Sequence, residues 1–299
     1  MSGRLLQAAL WLGMCGVGCT VDSLDLSTKN CPCLPPYCCN PSTNRCTLEP
    51  GQCQDAAVDA ELSDADASDA AVIDGDPEPS RYAMAVLADE PVAYYRLNET
   101  NGMTIVDSSA NGNDGTYVGP VTLGVAGAIR DDTAVLIEAP ATQRMLFGDR
   151  FDWSGRAPFT LECWIMPDPM PSERLQRLFT KEEGNAMGRQ GYTAFLDGTE
   201  PPFGVVLERW RDQMLPGRPM TDASTIDAGF THIAIVYTGE QGIIYVNGIE
   251  FGRQISAADL LDTGGQFAVG DAYSGVIDEV AIYDKALESN RILEHVNAR

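Results

Sequence analysis

The chain has little positive charge and almost no histidine. Its 299 residues include 20 Lys and Arg against 43 Asp and Glu, with two His, for a net charge of −23. This acidity argues against nucleic acid and anionic lipid as partners, since like charges repel. The two histidines, His232 and His295, are most simply structural or surface residues.

The motifs of common hydrolases are missing as well. A laminarinase-type glycosidase would carry acids at alternate positions of one strand, so that two carboxylates flank the sugar bond about 5 Å apart. Here Glu162 stands alone, and Asp278 and Glu279 are adjacent and therefore should face opposite ways. No Gly-x-Ser-x-Gly is present. We therefore predict a non-catalytic protein.

Long apolar runs are also lacking. The longest, residues 5–17, is shorter than the ~20 residues that span a bilayer and follows Arg4, as in an export signal. The small residues before Cys19 resemble the cleavage box of a bacterial lipoprotein, although Gly16 stands where Leu is usual. We predict a signal peptide over residues 1–19, a lipid on Cys19 and export to the bacterial envelope, as an outer-membrane lipoprotein or in secreted form. That lipid would be the chain's one contact with a membrane; the alternative is an ordinary cleaved signal.

Cysteine is concentrated in one short segment, residues 20–53. Six cysteines within 23 residues predict a disulfide knot of three bridges, because so small a segment cannot build an apolar core. They are Cys31, Cys33, Cys38, Cys39, Cys46 and Cys53. The pairing is open, and a zinc site is the less favoured alternative because neither histidine lies near. Cys163 is alone in a later strand, and we predict that it is buried as a small apolar residue.

Residues 54–81 are rich in Asp and Ala, and no Lys or Arg occurs between Arg45 and Arg81. Repulsion among the carboxylates and the shortage of apolar side chains predict a disordered, extended linker. The segment lacks the glycine and the final Glu of an EF-hand loop, so a spacer is the better interpretation.

The rest of the chain, residues 82–299, is organised around residues 230–252. Two β-rich runs there flank Thr238-Gly239-Glu240-Gln241-Gly242 and predict a hairpin, with a second turn at Asn247-Gly248. Both faces of the first run are apolar, which predicts cover on both sides, as in one sheet stacked on another. Short β-rich runs separated by turn residues predict an all-β antiparallel sandwich, ending in a helix over residues 288–296.

Four segments in this region resemble bacterial laminin-G-like jelly-roll domains. They are PVAYYRLNE (residues 91–99) with the loop over residues 107–115, APFTLECWI (157–165), FTHIA (230–234) and GVIDEVAIY (275–283). The resemblance implies a concanavalin A-like jelly roll of two antiparallel sheets. It leaves function open, because such folds include lectins, adhesion modules, spacers and some glycosidases.

The same resemblance implies a structural calcium ion between the closing strand and the first loop. The matching residues are Asp107, Asn111, Asn113, Asp114 and Asp278, whose oxygens are the ligands that calcium prefers. The alternative is a loop whose Asn and Asp side chains cap their own backbone.

A ligand surface is predicted at Arg209, Trp210 and Arg211, where an aromatic ring lies between two guanidinium groups. Sugars stack on such rings, and arginine binds hydroxyls and carboxylates. The alternative is a tryptophan that covers a sheet edge. We expect a surface protein that binds a glycan or protein ligand, with a structural envelope protein as the second hypothesis and a glycosidase as the third.

Overall fold

The computed structural model describes residues 38–40, 45–47, 80–138, 142–184, 188–211, 218–221, 225–256 and 259–299. The chain divides between Ile73 and Asp74 into two units. In the first unit, strands β1 (Cys38–Asn40) and β2 (Arg45–Thr47) pair antiparallel, and their register places Cys39 opposite Cys46. Cys19, Cys31, Cys33 and Cys53 lie outside the described residues, so the lipid anchor and the knot stay predictions.

The second unit begins with a helix, continues through fifteen described strands and ends with a helix. Helix α1 is Arg81–Ala88 and helix α2 is Ser289–Asn297. The strands are β3 Ala93–Tyr95, β4 Thr104–Ile105, β5 Gly115–Val118, β6 Thr122–Ala126, β7 Thr133–Ile137, β8 Arg144–Leu146, β9 Phe159–Pro167, β10 Leu175–Glu183, β11 Gln190–Asp197, β12 Gly204–Trp210, β13 Thr231–Tyr237, β14 Gln241–Val246, β15 Ile249–Ile255, β16 Ala268–Val269 and β17 Gly275–Tyr283.

These strands form two antiparallel sheets, which confirms the predicted concanavalin A-like sandwich. The seven-stranded sheet has the order β12-β11-β10-β16-β8-β5-β4. The eight-stranded sheet has the order β15-β14-β13-β9-β17-β7-β6, and β3 also pairs with β17. Many neighbours in these orders are far apart in the chain, as expected of a jelly roll.

The main core lies between the two sheets. Apolar side chains at alternate positions of the strands meet there, such as Ile233, Ile235 and Tyr237 of β13 and Tyr192 and Leu196 of β11. Cys163 is buried in this cluster as a free thiol, which confirms its prediction.

The outer face of the eight-stranded sheet is covered by helices instead of by another sheet. Ala234 and Val236 point to this side and join a second apolar cluster with Tyr82 and Val86 of α1 and Ile292 of α2. Strand β13 is therefore buried on both faces, as its sequence predicts, but only one face meets a sheet. The helices provide the second layer of cover because their apolar stripes face the sheet.

Local sequence explains the ends of these elements. The Ser80 hydroxyl caps α1 by accepting a hydrogen bond from the Ala83 amide at 3.1 Å. Between β14 and β15, Asn247 and Gly248 both have positive φ, 49° and 79°, as a two-residue hairpin turn of type I′ requires. Among the described residues, no helix is long and apolar enough to cross a membrane.

Candidate functional site

The outer face of the seven-stranded sheet carries no described helix, unlike the outer face of the other sheet. This face is partly exposed around Arg177, Thr180 and Glu182 of β10, although Phe195 and Val206 on the same side are buried, and we call it the open face. Because side chains alternate along β12, Arg209 points into the sandwich, whereas Glu208 and Trp210 lie on the open face. A register shift of β10 between Arg177 and Phe179 places Arg177 and Glu182 on the same face, where both line one groove. This face is therefore where the fold offers side chains to a ligand.

A groove of about 360 Å³ runs across this open face. We call it the arginine groove. It is lined by Arg144, Leu146, Arg177, Thr180, Glu182, Gly184, Arg189, Gln266, Ala268 and Asp271. The lining residues come from β8, β10 and β16 and from the segments that flank β10, β11 and β16. Strands β8, β16 and β10 are neighbours in the sheet although they are far apart in the chain.

At one end of the groove, two guanidinium groups share one carboxylate. Arg144 Nη1 lies 3.5 Å from Asp271 Oδ1, and Arg177 Nη1 lies 3.6 Å from Asp271 Oδ2. These distances are longer than those of a good charged hydrogen bond, so each pair is held mainly by charge. Among the described lining residues at this end, two are arginines and one is an acid.

At the other end, Arg189 joins two acids. Its Nη2 lies 2.5 Å from Glu182 Oε1, and its Nη1 lies 3.7 Å from Glu208 Oε2. Arg218 adds a second cation to Glu208, with 3.1 Å between Arg218 Nε and Glu208 Oε1. Burial raises the pKa of Glu182 above its usual value, and the charge of Arg189 opposes that rise.

Trp210 lies beside this network at the end of β12. The Arg189 guanidinium carbon is 4.6 Å from the centre of a Trp210 ring, within the range of a cation–π contact. The indole Nε1 donates a hydrogen bond to Glu208 Oε2 at 3.1 Å. Arg189 and Glu208 thus fix the orientation of the half-buried Trp210 ring next to the arginine groove.

The prediction for Arg209 needs a correction. Arg209 is only 1 % exposed, and its guanidinium lies 3.5 Å from the centre of the Tyr237 ring inside the sandwich. Its Nη1 donates to the Ser256 carbonyl at 2.9 Å. Because successive residues of a strand face opposite ways, Arg209 cannot share a surface with Trp210. The cation beside the Trp210 ring is that of Arg189.

Arg211 is exposed, and its Nη1 lies 3.3 Å from the Asp259 carbonyl oxygen. It follows the last residue of β12 and does not line the groove. The ligand role of Trp210 and Arg211 stays a prediction.

The four predicted calcium ligands of the first loop are together, and their side chains organise the loop. Asp107 Oδ1 accepts from the amides of Tyr94 and Ser109, and its Oδ2 accepts from the Asn113 amide. Asp114 Oδ1 accepts from the Asp107 amide at 2.9 Å, and the Asn111 and Asn113 side-chain amides donate to main-chain carbonyls, including that of Val92. This is the loop-capping arrangement that was the alternative interpretation.

Asp278 makes a different contact. Its Oδ2 accepts from the Ala128 amide at 2.7 Å, and burial raises its pKa to about 7. Its Oδ1 is buried without a hydrogen-bond partner. Asp107, Asp114 and Asp278 do not form a cluster that could hold a metal ion, and the described residues contain no other such cluster of acids, His or Cys. No finding tests the ion itself, so calcium at these residues stays a prediction.

The two histidines belong to a polar network between the helix layer and the eight-stranded sheet. Glu162 of β9 is fully buried, with His295 Nδ1 at 2.9 Å, His232 Nε2 at 3.4 Å and the Tyr283 hydroxyl at 2.7 Å. Burial would raise the pKa of Glu162, but His295 and His232 outweigh it and hold the pKa well below its usual range. The network is closed to ligands, which confirms the structural interpretation of both histidines.

Comparison with known families and structures supports this fold. A family model described as the concanavalin A-like lectin/glucanases superfamily matches residues 141–293, just over half of the chain. No curated protein matches the chain.

Among solved structures, the binding domain of Paraclostridial Mosquitocidal Protein 1 is similar, with a TM-score of 0.58 and 17% identity. The binding domain of Botulinum Neurotoxin DC in complex with SialylT is also similar, with a TM-score of 0.52 and 12% identity. Both matches cover 71% of this chain and 52% of the other, so the chain spans about half the length of these binding domains. At such identities the likeness concerns the fold alone.

Proposed function

Because the chain belongs to the concanavalin A-like lectin/glucanases superfamily, we propose that residues 82–299 form a non-catalytic lectin-like domain. Its ligand is a glycan held on the open face of the seven-stranded sheet, at the arginine groove and Trp210. The similar toxin structures are themselves binding domains, one of them in complex with SialylT, which supports a binding role.

The observation that carries this proposal is the difference between the two outer faces. Helices cover the eight-stranded sheet, whereas the seven-stranded sheet presents a groove, charged hydrogen-bonding groups and an oriented indole ring. Glycan sites combine polar groups that meet hydroxyls with an aromatic surface for the sugar ring. Arginine donors, carboxylate acceptors and Trp210 supply both.

The contacts of Glu182 and Glu208 favour binding over catalysis. A glycosidase needs two carboxylates on either side of the glycosidic bond, with space for the sugar between them. Here Arg189 is paired with both acids and occupies the space between them. The two carboxylates therefore position Arg189 and Trp210.

The placement in the cell belongs to the same proposal. A lipid on Cys19 anchors the exported chain to the bacterial envelope, and residues 54–81 act as an acidic spacer between that anchor and the lectin-like domain. A protein ligand at the cell surface is the second candidate partner.

A glycan array probed with the whole chain tests the function. Trp210→Ala should weaken binding about tenfold or more, which corresponds to at least about 1.4 kcal/mol. Phe251→Ala is the matched control, because Phe251 is an exposed aromatic residue on β15 of the other sheet. Melting curves of both variants would verify that they fold.

Three results would count against the proposal. Absence of any glycan ligand, with a protein recovered through the open face, would favour the protein partner. Equal binding by Trp210→Ala and the unmodified chain would place the site elsewhere. Release of reducing ends from a bound glycan would show a glycosidase.

A further inference from the structure

We propose that the arginine groove selects acidic glycans, meaning saccharides that carry a carboxylate. This inference rests on the proposed function and names the class of its ligand. The carboxylate binds at the end of the groove where Arg144 and Arg177 meet Asp271, and the neighbouring sugar rings extend toward Arg189 and Trp210.

The charge of the groove is opposite to that of the chain. Three arginines and two acids line it, although acids outnumber Lys and Arg by more than two to one in the whole sequence. The field of an acidic protein repels anions, so an anionic ligand is held only where cations are locally in excess. Among the described groove residues, the excess lies at Arg144, Arg177 and Asp271.

The geometry at this end suits a carboxylate. Arg177 lies on β10 and Arg144 on β8, and both reach the single carboxylate of Asp271 at 3.5–3.6 Å. The Arg177 amide also donates to the Asp271 carbonyl at 3.1 Å, which ties β10 to the Asp271 main chain. A guanidinium has five N–H donors in a planar fork that matches a carboxylate, and about a third of each arginine side chain is exposed.

Asp271 has two opposing effects on the affinity for an acidic glycan. It orients the two guanidinium groups, but its charge also opposes an incoming carboxylate. Removal of an arginine charge and removal of the Asp271 charge should therefore change the affinity for acidic glycans in opposite directions. A general effect on folding would not produce opposite signs.

The experiment compares matched acidic and neutral probes on the whole chain. The pairs are sialyllactose with lactose, and an oligogalacturonate with its methyl ester. We expect about tenfold tighter binding of the acidic member at low salt, and a smaller difference at high salt because ions screen the charges.

Three variants locate the effect. Arg177→Gln should remove most of the preference for the acidic probe, and Asp271→Asn should increase it. Arg253→Gln is the control: it removes the same charge from an exposed position on β15 of the other sheet and should leave the preference unchanged.

The outcomes separate this inference from the proposed function. Equal binding of acidic and neutral probes, abolished by Trp210→Ala, would overturn the acidic selection and leave the glycan function in place. A preference that Arg253→Gln reduces as much as Arg177→Gln would also overturn it, since the groove would not be its source. Absence of binding to every probe would overturn both.

Discussion

Glu162 and His295 form an ion pair in which neither side chain is exposed to solvent. Burial lowers the pKa of His295, but Glu162 and Asp89 outweigh burial and raise the pKa above 6.5. A raised histidine pKa stabilises the fold below about pH 6.5, and this contribution is lost as pH rises through the folded-state value. Glu162, whose pKa is lowered, contributes above about pH 4.5 and loses its contribution as pH falls further.

We therefore expect the free energy of unfolding to fall as the pH rises above about 6.5, and to fall less in His295→Gln. Asp278 also lowers the free energy of unfolding as the pH rises toward 7, because burial raises its pKa to about 7. The informative quantity is therefore the difference in slope between the unmodified chain and His295→Gln. Urea denaturation at a series of pH values measures it. Arg253→Gln, an exposed change, should keep the slope of the unmodified chain, and an unchanged slope in His295→Gln would contradict the role of the pair.

At the level of elements, Asp89 links the two helices through charged hydrogen bonds, in addition to their apolar contacts. Asp89 ends α1, and its Oδ2 lies 3.0 Å from His295 Nε2 and 2.9 Å from Arg291 Nε of α2. Hydrogen bonds of this charged kind contribute about 1.5–3 kcal/mol. Asp89 therefore holds α2 against α1 and over the eight-stranded sheet.

Asp89→Asn should lower the free energy of unfolding by about 1–3 kcal/mol and speed hydrogen exchange in α2. Hydrogen exchange by mass spectrometry resolves the helix from the sheets. Glu294→Gln is the matched control, since its pair with Arg291 is largely exposed and such pairs contribute little. Equal exchange in Asp89→Asn and the control would show that apolar packing alone holds the helix.

Most strands could be predicted from alternation and turn residues, but β6 (Thr122–Ala126) could not. Its residues are exposed or half-buried, Gly124 has a φ of 74°, and its register shifts beside β7. An edge strand with few apolar contacts carries no strong periodic signal. The sequence also did not predict that helices cover the eight-stranded sheet. The buried residues of α2 are Ile292 and the polar His295, whereas Leu293 is 43 % exposed, so the apolar pattern of α2 does not mark its buried face.

Less of the candidate site than of the fold could be predicted from the sequence. Trp210 stands out as an aromatic residue between charges, but its partner Arg189 lies just before β11, 21 residues away in the chain, and Arg209 is buried. Arg144, Arg177 and Asp271 meet only because β8, β16 and β10 are neighbours in the sheet. That order arises from long connections, which no local pattern in the chain reports.

For the whole molecule, the state of the cysteines differs between the two parts of the chain. Six cysteines of residues 20–53 are predicted to form three bridges, whereas Cys163 is a free thiol in the sandwich core. Burial raises the pKa of Cys163, which keeps it as the unreactive thiol. Thiol reactivity therefore reports on both parts of the chain in one measurement.

The mature chain, isolated from an exporting host, should not react with a thiol reagent while it is folded, provided that Cys19 carries its lipid. After denaturation without reductant, one thiol per chain should react if Cys19 carries a lipid, and two if it does not. Cys163→Ala is the control and should remove one thiol from either count, because the bridged cysteines cannot react. Three or more reactive thiols would contradict the three bridges, and zinc released on denaturation would assign those cysteines to a metal.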